Sequence, residues 1–81
     1  MIDVRQPEEY AGGHISGAKL IPLGELESRI GELNPDHEYL LICRSGRRSI
    51  MAYNLLKQHG FEKLYNLQGG MLAWTGEVTT D

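Results

Sequence analysis

The apolar positions fall into short blocks separated by glycine, proline and charge, and their spacing changes from block to block. Met1-Ile2-Asp3-Val4 predicts a brief strand at the start. Pro7-Glu8-Glu9 then places proline at a first helical position with acids in the first turn, and Gly12-Gly13 ends that short helix. Ala18-Lys19-Leu20-Ile21 predicts a second strand, closed by Pro22 because proline has no amide to donate. Leu23, Leu26, Ile30 and Leu33 recur at three- and four-residue steps, the spacing of one helix face, until Asn34-Pro35-Asp36 breaks it.

Tyr39-Leu40-Leu41-Ile42 is apolar without alternation, as expected of a strand buried on both faces, and Cys43 stands at its carboxyl end. Arg44 to Arg48 reads as a turn. Ile50, Tyr53, Leu55 and Leu56 then predict a helix lasting to Gly60, a residue suited to a left-handed cap. Lys63 to Leu67 predicts a further strand, Gln68-Gly69-Gly70 a turn, and Met71 to Trp74 a last helical turn. Gly76 to Asp81 carry little pattern and are expected to fray. Strand and helix alternate, which implies an α/β fold with a small parallel sheet and helices on its faces.

At 81 residues one domain with one core is expected. The net charge of −3 gives no general attraction to nucleic acid or to an anionic membrane, so any anion site must be local. No apolar run approaches membrane-spanning length and no leader-like segment opens the chain, so a cytoplasmic protein is expected. The single cysteine excludes an internal disulfide, a CxxC redox pair and a zinc site of several thiolates. That thiol serves either packing or chemistry.

Its position favours chemistry. In open α/β sheets the ligand crevice lies at the carboxyl ends of the strands. Gly46 permits a tight turn there, and the following helix begins with amides that have no internal partner. Such amides, with nearby arginines, lower a thiol pKa. Arg44, Arg47 and Arg48 supply three of the chain's eight lysines and arginines, although positive charge at a helix start opposes the helix dipole. Together they form an anion cradle beside a nucleophile, suited to attack on phosphorus or on the outer sulfur of an anionic sulfur donor. Cysteine phosphatases have a histidine before the cysteine and five residues between it and the phosphate-binding arginine. Here Ile42 precedes Cys43, four residues separate it from Arg48, and Ser49 stands where the longer loop has its arginine. The spacing disfavours a phosphatase or arsenate reductase.

Cys43-Arg44-Ser45-Gly46-Arg47-Arg48-Ser49 resembles the CRSGxRS loop of single-domain rhodanese-like proteins. Ile2-Asp3-Val4-Arg5, Glu8-Glu9-Tyr10, Gly13-His14-Ile15, Gly17-Ala18, Ile21-Pro22, Leu67-Gln68-Gly69-Gly70-Met71 and Ala73-Trp74 match the same family in order and spacing. The resemblance implies a rhodanese-like parallel sheet flanked by helices on both faces. It also implies a sulfurtransferase in which Cys43 takes sulfane sulfur from thiosulfate or another small anionic donor, holds it as a persulfide, and passes it to cyanide or a thiol, a protein thiol among them. By the same resemblance, no metal or organic cofactor is needed. The amides from Arg44 to Ser49 would stabilise the persulfide, with Arg44, Arg47 and Arg48 attracting the donor. Arg48 ranks above Arg47 because it fills the motif's arginine position.

Family members usually carry a helix and a short edge strand before the segment matching Ile2-Asp3-Val4-Arg5, and this sequence shows neither. A shortened domain over 1–81 is therefore expected, with low stability, a homodimer, or dependence on a neighbouring domain in a longer protein. A non-catalytic regulatory or interaction module of such a protein is the alternative reading. Asp3 and Arg5 alternate on one strand face and are expected to be structural. So are His14, which has no partner at metal-ligand spacing, and Trp74. His37 and His59 are expected in solvent.

Overall fold

The apolar run Tyr39–Ile42 forms strand β3 and lies inside a four-stranded sheet, where both of its faces are covered. In the computed structural model, which describes residues 1–81, the other strands are β1 (Ile2–Asp3), β2 (Lys19–Leu20) and β4 (Leu64–Asn66). Their order is β2-β1-β3-β4 and every neighbouring pair is parallel. Register sets Asp3 beside Ile42 and Leu41 beside Asn66, so the carboxyl ends of β1, β3 and β4 meet along one rim.

Alternation along β3 sorts the core into two layers. Leu41 and Cys43 face helix α3 (Arg47–Gln58) and the short helix α2 (Leu23–Leu26), packing with Ile2, Val4, Ala52 and Leu56. Ile42 faces the other way, with Ile15, Ala18 and the partly buried Tyr10, Met71 and Trp74. Helices α1 (Pro7–Ala11) and α4 (Gly70–Ala73) belong to that second side. Helices thus cover both faces of the sheet. None is long and apolar enough to cross a membrane.

The segment expected as one amphipathic helix from Leu23 to Leu33 is broken. α2 ends after one turn, and a 3-10 turn follows at Ile30–Glu32. Gly24 and Gly31 weaken helical preference there, and the Ser28 hydroxyl donates to the Glu25 carbonyl, offering the backbone another arrangement. Leu26 is still buried and Leu23, Ile30 and Leu33 still pack on the core, so the apolar spacing survives the break. The tail differs too: Thr79 exchanges both backbone hydrogen bonds with His14, at 2.8 and 2.9 Å, where fraying was expected.

Asp3 and Arg5 form a buried pair at the end of β1. The guanidinium donates to both carboxylate oxygens, from Nη2 at 2.7 Å and from Nε at 2.9 and 3.1 Å, and Nη2 also reaches the Gly13 carbonyl at 2.9 Å. Asp3 is wholly buried. The pair ties β1 to the turn after α1, which His14 stiffens by stacking on Tyr10 at 3.6 Å and bonding its Nδ1 to the Tyr10 carbonyl. Removing one partner leaves the other charge buried. Asp3→Ala should therefore lower unfolding stability by about 3–5 kcal/mol in urea titration, a large share of the 5–15 kcal/mol typical of a domain.

Candidate active site

Where β3 ends, the chain cannot turn into α3 without a left-handed residue. Gly46 supplies it, at φ 103°, as the residue before the helix. This folds the start of α3 back over the Cys43 side chain. The Gly46 amide donates to Sγ at 2.9 Å, and the Ser45 and Ser49 amides also turn toward it. The Cys43 thiol donates to Ser49 Oγ at 3.4 Å, and that hydroxyl donates to the Gly46 carbonyl at 3.1 Å. Cys43 is 1% exposed. Burial pushes its pKa up, but the Ser49 hydroxyl and the Ser49, Gly46 and Ser45 amides outweigh burial and leave it below the ordinary thiol value.

A second segment holds this loop from behind. The amides of Met71 and Leu72 donate to the Cys43 and Arg44 carbonyls at 2.8 and 2.9 Å. Only glycine fits where the two segments meet. Gly70 has φ 60°, and a Cβ there would lie 2.5 Å from the Cys43 carbonyl oxygen and 2.6 Å from that of Arg44. The turn expected at Gln68-Gly69-Gly70 is therefore also a backbone clamp on the loop.

The three loop arginines have different surroundings. Arg48 is committed: its Nη1 and Nη2 donate to Glu9 Oε1 and Oε2 at 2.6 and 2.8 Å. Glu9 also accepts the Gln6 amide at 2.9 Å, so α1 is pinned to the start of α3. The Arg48 guanidinium, aided by that amide, holds the Glu9 carboxyl at about 2 against the opposing effect of burial. Arg47 is exposed and lines a pocket of about 480 Å³ with Ser45, Gly46, Ile50, Asn66 and Gln68. Arg44 is also exposed but does not line that pocket.

The loop thus gathers Cys43, Ser45, Gly46 and Ser49 around one sulfur, with Arg47 at the pocket, Arg48 turned to α1 and Arg44 outward. Nothing local in the sequence marks Glu9 as the partner of Arg48, because the two lie 39 positions apart. Asn66 and Gln68 are likewise unmarked as pocket residues by any motif. Their only signal was a place at the carboxyl end of a strand, where ligands gather in parallel sheets.

A thiol set at a strand end among the amides of a following helix defines an α/β domain with its one cysteine at the crevice end of the sheet. The model of the rhodanese-like domain matches residues 1–77, and the chain belongs to that family. It is 51% identical to the putative sulfur carrier protein YrkF of Bacillus subtilis over 96% of its own length and 42% of the relative's. It is 46% identical to the putative sulfurtransferase YtwF of the same organism, over 96% of this chain and 75% of that one. The rhodanese-related protein of Thermoplasma volcanium superposes with a TM-score of 0.92 at 32% identity, covering 99% of this chain and 82% of its own.

Gly70→Ala should cost about 1–3 kcal/mol from its positive φ alone, with the carbonyl clash adding to it, and urea unfolding will read the sum. The folded-state pKa of Glu9, about 2, lies below its ordinary 4.5, so its stabilising contribution is full above pH 4.5 and lost as pH falls through about 2. The pair is partly exposed, which limits that contribution to about 0–1 kcal/mol. Unfolding midpoints from pH 6 to 2 should show this component in the native protein and not in Glu9→Gln.

Proposed function

We propose that this domain is a sulfurtransferase that carries sulfane sulfur on Cys43. The observation that carries this reading is a buried thiol whose anion is stabilised by amides and a hydroxyl, with no proton-donating acid left beside it. Asp3 is held by Arg5, and Glu9 stays ionised at neutral pH against Arg48. Expelling an alkoxide from a phosphate ester calls for a general acid. Expelling sulfite does not, because it leaves as a stable anion.

In the loading step the Cys43 thiolate attacks the outer sulfur of thiosulfate. An S–S bond to Sγ forms, the donor's S–S bond breaks, and its electron pair leaves with sulfite. The new bond, about 2.05 Å long, carries the reactive sulfur outward from a thiol that is itself buried. The loop amides stabilise the persulfide anion as they do the thiolate, and Arg47 is the cation best placed to attract the donor. This shifts the emphasis from Arg48, whose guanidinium is occupied, to Arg47. The names of the relatives, a sulfur carrier and a sulfurtransferase, support the same chemistry. Cyanide or a thiol then accepts the sulfur and returns Cys43 to the thiolate.

Mass spectrometry after thiosulfate treatment should show one added sulfur atom on Cys43, and Cys43→Ala should show none. Arg47→Ala should raise the KM for thiosulfate about tenfold, the order expected for a lost charge-assisted hydrogen bond. Failure of the wild type to gain sulfur from thiosulfate, polysulfide or a small persulfide would contradict the proposal.

A further inference from the structure

The pocket beside the loop is larger than sulfur chemistry on small inorganic ions requires. At about 30 Å³ per water in the liquid, its 480 Å³ corresponds to about sixteen waters, and a thiosulfate ion would leave most of it to solvent. Asn66, the last residue of β4, and Gln68, two residues further on, both line it. Both side chains are exposed, and neither forms a hydrogen bond within the chain. Each carboxamide offers two donors and an acceptor, the complement of a peptide group. Ile50, 52% exposed, adds one apolar wall, and Arg47 adds an unpaired cation.

We infer that Asn66 and Gln68 form an acceptor subsite for a cysteinyl thiol flanked by peptide groups. This rests on the sulfurtransferase reading and names the class of its acceptor. The peptide amides pair with the two carboxamides, the cysteinyl methylene lies against Ile50, and the thiolate points at the persulfide next to Gly46. It attacks the outer sulfur and an S–S bond to the acceptor forms. The bond from that sulfur to Sγ breaks, and its electron pair returns to Cys43 as thiolate. Cyanide and simple alkyl thiols can take the same sulfur but gain nothing from the carboxamides.

The test uses protein loaded with thiosulfate and three acceptors at equal thiolate or cyanide-ion concentration: the tripeptide thiol glutathione, 2-mercaptoethanol and cyanide. Wild-type kcat/KM for glutathione should exceed that for 2-mercaptoethanol at least tenfold. Asn66→Ala/Gln68→Ala should remove about tenfold of this, through KM, and leave turnover to cyanide and 2-mercaptoethanol within about twofold. Gln68→Glu, which sets a carboxylate against an anionic peptide, should act in the same direction if the double variant folds poorly. A cysteinyl peptide blocked at both ends distinguishes the source of the acceptor. Activity equal to glutathione points to a cysteine within a protein chain, and a weaker response points to a free peptide thiol whose carboxylate meets Arg47. S-methylglutathione, which cannot react, should shift the Asn66 and Gln68 side-chain NH signals, so binding is read even if no persulfide forms. Equal use of glutathione and 2-mercaptoethanol by the wild type, or unshifted signals, overturns the subsite; absence of persulfide on Cys43 overturns the sulfurtransferase reading instead.

Discussion

Burial alone would keep a thiol protonated, and Cys43 is buried. What outweighs burial is the return of the chain through Gly46, which turns the first unpaired amides of α3 onto Sγ. The rest of the architecture serves this contact. β3 delivers the sulfur to the rim of the sheet, α3 is long enough to anchor itself on the core through Ala52 and Leu56, and the Met71 and Leu72 amides hold the outgoing carbonyls. Because the amides are already fixed in place, stabilising a thiolate there would require little reorganisation.

Charge is placed with the same economy. Positive residues at a helix start oppose the helix dipole, and here Glu9 answers Arg48 across the interface between α1 and α3. The pair spends one loop cation on structure and leaves Arg47 open to solvent at the pocket. Asp3 and Arg5 do similar work one strand away, fully inside the protein, and link β1 to the turn that carries His14. Charged groups therefore surround the site without offering it a free acid, a condition more compatible with sulfur transfer than with ester cleavage.

Much of this was legible in the sequence because the signals were local. The non-alternating run Tyr39 to Ile42, Gly46 in the turn and the helical spacing after Ser49 each follow from a few neighbouring residues, and the structure keeps all three. The broken helix after Leu23 was not legible, since periodicity reports which face is buried and not whether every turn between is helical. The pairing of His14 with Thr79 and of Glu9 with Arg48 depends on segments brought together by the sheet. The motif position of Arg48 indicated a contact with the donor, and its partner emerges only when α1 is folded against α3.

The loop amides and Ser49, acting against burial, lower the pKa of Cys43. Ultraviolet absorbance of the thiolate, titrated from pH 4 to 10 in the wild type and in Ser49→Ala, tests it most directly. The wild-type midpoint should lie below that of the same thiol in the urea-unfolded chain, and the Ser49→Ala midpoint should lie above the folded wild type's. A folded wild-type midpoint at or above that of the unfolded chain would contradict it.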